Sequence, residues 1–358
     1  MTGDEILAVR GLHKHFTTPV SVADRVVGRR PTVNRAVDGV DLVLREGETL
    51  GLVGESGCGK STLARTVVGL YQPDGGVVSY RGEMLPARRT RAQHRAIQMV
   101  FQDPFSSLNP RLTVGQMLSE LLRFHRLVPR NRVAERAREL MHLVGLPAGA
   151  LDQRPRQFSG GQRQRIGIAR ALAVEPSVLI ADEPVSALDV SVQATIINLL
   201  IELRETLDLS VVFVSHNMAV VRQISDRTAV MYLGRIVETG ATDAVFDQPV
   251  HPYTRLLLRS VPRLGTTAET PVSSEDGPSP AADEVAAAAA TGGTDACRYL
   301  DRCPASVARC AVEPALIADP RDPGRAAACV HVPWPAEARS VDAHDTESTN
   351  DVVREEIA

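Results

Sequence analysis

Apolar residues recur along the chain with two different periods, and the change of period marks out the elements. Ile6-Leu7-Ala8-Val9, the near alternation of Ala36 to Leu44, and Glu48 to Val53 read as short strands. The polar, proline-containing stretch Thr17 to Arg35 between the first two predicts a long hairpin loop. Lys60 to Leu70 carries apolar residues at helical spacing, and Pro73-Asp74-Gly75-Gly76 closes that unit with a turn. Residues 111–150 read as helices, Val178-Leu179-Ile180-Ala181 as a buried strand, Ser191 to Leu207 as a helix, and Ser210 to Val214 as a second apolar strand. Strands alternating with helices predict an α/β fold whose parallel sheet is covered on both faces. No internal repeat is visible.

Composition changes this picture only near the C-terminus. From Gly265 to Thr294 the chain is rich in Ala, Pro, Ser, Thr and Gly, with too little apolar surface to offset the entropy of ordering. This predicts a cassette over residues 1–262, a flexible linker over 263–296, a small Cys-rich domain over 297–335 and a disordered acidic tail over 336–358. At 358 residues, with 44% hydrophobic and 23% charged residues, the chain has the make-up of a soluble globular protein. Forty Lys and Arg against 43 Asp and Glu leave a net charge of −3, so no global basic field points to nucleic acid. Nothing approaches the ~18 consecutive apolar residues of a membrane span. The start, Met1-Thr2-Gly3-Asp4-Glu5, lacks the layout of a secretory signal. These features predict a cytoplasmic protein whose membrane role, if any, comes through a partner.

Gly54-Glu55-Ser56-Gly57-Cys58-Gly59-Lys60-Ser61 matches the G-x-x-x-x-G-K-[ST] pattern and sits between an apolar strand and a helix. Glycines let consecutive N–H groups converge on one concavity, and the helix start adds partial positive charge. Lys60 is expected to reach the β- and γ-phosphates and Ser61 to ligate Mg²⁺, with Thr62 completing the ATP-binding set. Cys58 fills a variable position where only the backbone is used. A second element, Val178 to Ala181 followed by Asp182-Glu183, ends an apolar strand in two carboxylates. Asp182 is placed to hold Mg²⁺ and Glu183 to polarise the attacking water.

Upstream of these carboxylates, Phe158-Ser159-Gly160-Gly161-Gln162 opens a helix; downstream lie Ser186-Ala187-Leu188-Asp189 and then Val214-Ser215-His216. In this order and spacing, residues 6–262 closely resemble the nucleotide-binding subunits of ATP-binding cassette (ABC) transporters. The resemblance implies an α/β P-loop NTPase core with a RecA-like sheet, an antiparallel β subdomain and an α-helical subdomain over about 103–170, followed by the Cys-rich domain. It implies that Phe16 stacks on adenine and that Gln102, in Val100-Phe101-Gln102-Asp103-Pro104, meets Mg²⁺ and the attacking water. It also implies that His216 contacts the γ-phosphate, that Ser159 to Gln162 face the partner subunit's nucleotide, and that Ser186 to Asp189 form the D-loop. One set of motifs without a repeat then requires dimerisation.

Phe101 to Arg111 and His251-Pro252-Tyr253-Thr254 look like segments of the oligopeptide and dipeptide importer ATPases, the first in the form of the F-type subunit. The resemblance implies a peripheral subunit on the cytoplasmic face of the inner membrane. Its partners would be a second, different ABC ATPase, two transmembrane permease subunits and an extracytoplasmic peptide-binding protein. The helical region would carry the docking surface for the permeases. Competing readings are a soluble regulatory ABC ATPase, an exporter, or an importer of nickel chelates or glutathione. Double cassettes and long coiled-coil or zinc insertions, which mark the soluble class, do not occur.

Cys297, Cys303, Cys310 and Cys329 are spaced C-x5-C-x6-C-x18-C. In a reducing compartment four clustered cysteines point to metal ligation rather than disulfides, and so small a region needs a staple. The spacing lacks both the C-x2-C knuckles of structural zinc and the tight ferredoxin runs. It resembles the pattern in dipeptide-importer ATPases, which implies a [4Fe–4S] cluster, with zinc or free thiols as alternatives. On this reading the Cys-rich domain is remote from the P-loop, and changes in it leave ATP binding largely unaffected.

Overall fold

The computed structural model describes residues 4–17, 31, 33–103, 108–259 and 296–334. Most of the loop foreseen over 17–35, residues 104–107 of the importer-like segment, nearly all of the linker, Pro335 and the acidic tail lie outside the described residues.

The chain folds around two sheets. A four-stranded antiparallel sheet has the order β2-β1-β4-β5, built from Glu5–Thr17 (β1), Val33–Arg45 (β2), Gly75–Tyr80 (β4) and Glu83–Met84 (β5). The first two strands are longer than their apolar runs. Phe16 pairs with Asn34 and Thr17 with Val33, so both strands extend into the stretch expected as loop. Backbone pairing carries the ladder past the point where side-chain alternation fades.

The second sheet begins with a parallel block in the order β9-β3-β8-β7-β6, comprising Arg227–Tyr232, Thr49–Val53, Ser210–Ser215, Val178–Asp182 and Ile97–Val100. Thr49–Val53, Ser210–Ser215 and Val178–Asp182 are buried along their whole length, which is why they read as continuous apolar runs. Successive residues serve opposite faces. Leu179, Ala181, Val211 and Phe213 enter the core shared with the helices of the 114–172 region. Val178, Ile180, Val212 and Val214 enter the core against helix Lys60–Val68 and the antiparallel sheet. The helical region contains Val114–His125, Val133–Leu143 and Gly160–Leu172, the first and last opened by capping boxes at Thr113 and Ser159. No described helix is long and apolar enough to cross a membrane.

The Cys-bearing segment departs from the expectation of a separate small domain. Strand β10 (Arg235–Ala241) pairs with β9, and β12 (Asp322–Ala327) pairs antiparallel with β10, matching Glu238 to Ala327. With β11 (Ile317–Asp319) this continues the main sheet to eight strands. Tyr299 is buried in the cassette's larger core, and Trp334 packs with Val250 and Ala327. The physical reason is that β10 offers an open backbone edge, and a segment poor in apolar residues gains more by pairing there than by forming its own core.

Candidate nucleotide site

The phosphate loop links the end of β3 to helix Lys60–Val68. Gly57 and Gly59 adopt φ of 80° and 110°, and a side chain at Gly54 or Gly59 would run into the carbonyl of Met231 or Ala36. Sequence spacing alone therefore encodes this loop. Lys60 is buried, and its ammonium donates to the carbonyls of Gly54 at 2.8 Å and Glu55 at 2.9 Å. Cys58 is buried in the apolar core with Sγ 3.8 Å from Lys60 Nζ, and burial pushes its thiol pKa up. It is a packing residue, and its carbonyl accepts from Gly234 N at 2.8 Å.

Ser61 Oγ donates to Asp182 Oδ1 at 2.8 Å, joining the helix start to the end of β7 across 121 residues. Asp182 is buried, its Oδ2 has no hydrogen-bond partner, and burial raises its pKa. A buried carboxylate oxygen without a partner, next to a hydroxyl, is a hard-oxygen donor set that fits Mg²⁺. Ser61 and Asp182 would hold the ion, whose chemistry is to neutralise charge on the β- and γ-phosphate oxygens.

One residue on, Glu183 sits at φ 45°, a strained backbone conformation for a residue with a side chain. Its Oε2 accepts from Gln102 Nε2 at 3.1 Å and lies 3.3 Å from His216 Nδ1. Gln102 Nε2 also approaches Ser186 Oγ at 3.4 Å. The three expected catalytic residues thus converge, with Gln102 contacting the carboxylate of Glu183. The His216 side chain is half exposed and that of Glu183 only 12% exposed, so the carboxylate is screened from water on most sides. His216 is fixed by its neighbours: Ser215 Oγ accepts from Asn217 N, and Asn217 Oδ1 caps helix Met218–Ile224. A carboxylate held between an amide and an imidazole, beside a buried Mg²⁺ donor set and a phosphate loop, can polarise a water against a terminal phosphate.

The signature stretch is a helix start of its own. Ser159 Oγ accepts from Gln162 N and Gln162 Oε1 accepts from Ser159 N, leaving Ser159 exposed at the tip. A side chain at Gly161 would run into Val192, and one at Gly160 would press on Leu188, so the signature packs against the D-loop and the helix Val190–Leu207 that follows it. Ala187 and Asp189 are exposed there. Phe16 is 38% exposed, edge-on to Tyr71 at 5.6 Å between ring centroids, with Lys14 Nζ 5.6 Å from its ring centre.

Sequence reasoning missed how the C-terminal region enters this site. Helix Pro252–Arg259 begins directly after His251. Glu238 accepts from the N–H groups of Val250 and His251, and His251 Nδ1 accepts from Tyr253 N at 3.1 Å. Burial takes the His251 imidazole down to about 4, so it is neutral near pH 7 and able to accept. Tyr253 OH then accepts from Glu55 N in the phosphate loop at 2.8 Å. Arg302 reaches the Glu55 carboxylate with both terminal nitrogens at 3.0 Å. Arg298 pairs with Asp38 and donates to the Leu233 carbonyl. Adjacency of His, Pro and Tyr was legible; that they end at the phosphate loop was not, because 198 residues separate Tyr253 from Glu55.

Comparison with known proteins agrees with this geometry. Residues 37–186 match the family model described as ABC transporter, and residues 237–310 match the oligopeptide/dipeptide transporter C-terminal region. The chain is 49% identical over 261 residues to the oligopeptide transport ATP-binding protein OppF of Escherichia coli, covering 72% of this chain and 78% of that one. This chain belongs to the ABC transporter ATP-binding proteins. It is also 45% identical over 345 residues to "Probable peptide ABC transporter ATP-binding protein y4tS" of Sinorhizobium fredii, covering 94% and 93% of the two chains. Among solved structures it is similar to cbiO1 of Clostridium perfringens, part of the ABC transporter complex cbiONQ, with a TM-score of 0.57 and 27% identity over 68% of this chain and 92% of that one. It is also similar to the dimeric ATP-binding cassette MJ0796 in a post-hydrolysis state bound to ADP and Pi, with a TM-score of 0.56 and 28% identity over 66% and 98%. This ABC subunit is accordingly an ATPase, with the P-loop, Asp182, Glu183, Gln102 and His216 gathered at one end of the parallel sheet.

The four cysteines form no disulfide. Cys297, Cys303 and Cys329 are pushed up by burial and by neighbouring thiols of the same group, Cys297 to about 12. Cys297 N donates to Cys310 O at 2.9 Å, which brings the first and third together. Among the described residues, no three of their sulfurs lie within 4.8 Å of one another. A single tetrahedral zinc with 2.3 Å bonds would draw them to about 3.8 Å.

Proposed function

We propose that this ATPase energises import of di- or oligopeptides as the F-type subunit of an ABC importer. The observation that carries this reading is the His251-Pro252-Tyr253 region: it matches the oligopeptide/dipeptide transporter C-terminal model and has a hydrogen-bonded path from Glu238 to the phosphate loop. In this reading the subunit sits peripherally on the cytoplasmic face of the inner membrane, beneath two transmembrane permeases fed by an extracytoplasmic peptide-binding protein. It pairs with a second, different ABC ATPase, so that Ser159 and Gly160 of each subunit face the nucleotide held by the other. The exposed capping-box tip at Ser159 supports this, since its N–H groups and hydroxyl suit an anion.

Co-purification tests the assignment. The tagged full-length chain should bring down two polytopic membrane proteins and a second ATPase, and peptide-loaded binding protein should stimulate ATP hydrolysis. Recovery of the chain alone, or with ribosomal or repair proteins, sinks the importer reading; stimulation by a nickel chelate or glutathione instead of peptide moves the substrate.

Cys297, Cys303, Cys310 and Cys329 would hold a [4Fe–4S] cluster whose role is to cross-link the segment. Protein purified without oxygen should be brown, absorb broadly near ~400 nm and contain close to four irons and four labile sulfides. Colourless protein with one zinc would overturn that assignment.

A further inference from the structure

Glu55 is the second residue of the phosphate loop, and only its backbone is needed to shape the phosphate concavity. Both of its polar ends are nevertheless engaged from the far end of the chain. Its N–H donates to Tyr253 OH at 2.8 Å, and its carboxylate receives both terminal nitrogens of Arg302 at 3.0 Å. We propose that Tyr253 and Arg302 are positioning residues for the reaction, a brace by which the C-terminal region sets the entry angle of the phosphate loop and hence the affinity for Mg²⁺-ATP.

Three observations carry the brace beyond a chance surface contact. Tyr253 is fully buried, so its hydroxyl position is fixed by packing against Tyr232 and Tyr299 at ring separations of 4.5 and 5.6 Å. The Arg302 contact is a fork onto a carboxylate, which defines a direction as well as a distance. A second arm runs in parallel. Arg298 donates to the carbonyl of Leu233, Gly234 N donates to the carbonyl of Cys58, and Asp38 N donates to the carbonyl of Gly234. The phosphate loop is therefore held at Glu55 and at Cys58, and both holds lead to residues 298–302.

That segment is itself a short turn, closed by backbone hydrogen bonds between two of the four cysteines. Leu300 N donates to Cys297 O at 2.9 Å, Arg302 N to Tyr299 O at 3.1 Å, and Cys303 N to Leu300 O at 3.2 Å. Whatever fixes Cys297 and Cys303 fixes the base from which Arg302 reaches. The inference needs only the ATPase activity and not the identity of a group bound by the thiols.

The test compares Tyr253→Phe, Arg302→Ala, Arg302→Lys, Glu55→Arg and the charge swap Glu55→Arg with Arg302→Glu. Each full-length protein is titrated with the fluorescent analogue TNP-ATP in Mg²⁺, its KM and kcat for ATP are measured in its native complex, and its Tm is recorded. Tyr253→Phe leaves a part-buried N–H without its acceptor and is expected to weaken nucleotide binding about five- to tenfold. Arg302→Ala, at a half-exposed pair, should weaken it about threefold, with Lys intermediate because it lacks the fork. KM should rise by the same factors while kcat stays within about twofold. The charge swap should return the affinity to within about twofold of wild type although Glu55→Arg alone does not. If KM is unchanged throughout, or kcat falls in place of affinity, or the swap restores nothing, the brace is wrong. Should Tyr253→Phe fail to fold, the half-exposed Arg302 series decides by itself.

Discussion

The phosphate loop takes its shape from its own glycines, whereas the Cys-bearing segment takes its shape from the rest of the protein. Gly54, Gly57 and Gly59 allow backbone conformations and close approaches that other residues resist, so eight consecutive residues specify a concavity wherever the strand and helix around them form. Residues 296–334 contain two short strands and two single 3₁₀ turns, and they find their place by adding β12 to the edge of β10 and by burying Tyr299 in the cassette core. The two regions, expected to lie apart, share a sheet and meet at Glu55. A side chain of the dependent region, Arg302, ends on the self-sufficient one at Glu55.

The sharpest way to test the self-sufficient half is Glu183→Gln. Geometry at the Asp182 oxygens is retained while the water-polarising carboxylate is lost, so kcat should fall about a hundredfold to ten-thousandfold with ATP binding preserved. Full turnover by that variant in the assembled complex would remove Glu183 from the mechanism. Lys60→Ala should instead act on binding, lowering ATP affinity more than about tenfold, since the cation expected to face the β- and γ-phosphates is gone. Ser159→Arg should leave a subunit's own ATP binding nearly intact and block hydrolysis in trans; in mixed dimers, an effect confined to the mutant's own site would contradict the sandwich arrangement.

The seam between the two halves, where the His251 and Tyr299 rings lie 5.7 Å apart, should fail in acid. The buried His251 binds its proton only near pH 4, against about 6.5 in the unfolded chain, so the unfolded state takes up more protons between these values. Its contribution is complete above about pH 6.5 and is lost as pH falls toward 4, a change of about 3 kcal/mol at most. Burial raises the carboxyl of Glu238, which works in the opposite direction, and comparison with a variant isolates the histidine. His251→Asn, whose side-chain oxygen can still accept from Tyr253 N, should show a flatter loss of Tm between pH 7 and 5 than wild type; parallel profiles would mean His251 does not drive the acid sensitivity. The smallest effect is expected from Cys303→Ser, which on the cluster reading removes a ligand that anchors the turn under Arg302 and should weaken ATP binding about twofold to threefold. Wild-type affinity in that variant would restore the independence of the two regions.

The motifs of the nucleotide site were legible because each is a local solution to a local problem. A glycine loop before a helix, a buried strand ending in two carboxylates, and a Ser-Gly-Gly-Gln helix start each carry their conformation in adjacent residues. The three all-buried parallel strands were legible for the same reason, since strands covered on both faces must be apolar throughout. What the sequence left open was every relation across distance. Gln102, Glu183 and His216 meet only because β6, β7 and β8 lie side by side in register, and Ser61 meets Asp182 across 121 residues. The ends of β1 and β2 were hidden because backbone pairing, unlike side-chain alternation, leaves no mark in residue type. The placement of Tyr253 and Arg302 was hidden because a hydrogen bond to a loop N–H or a fork onto a carboxylate requires only that two polar groups arrive together, and the sheet edge at β10 decides that arrival.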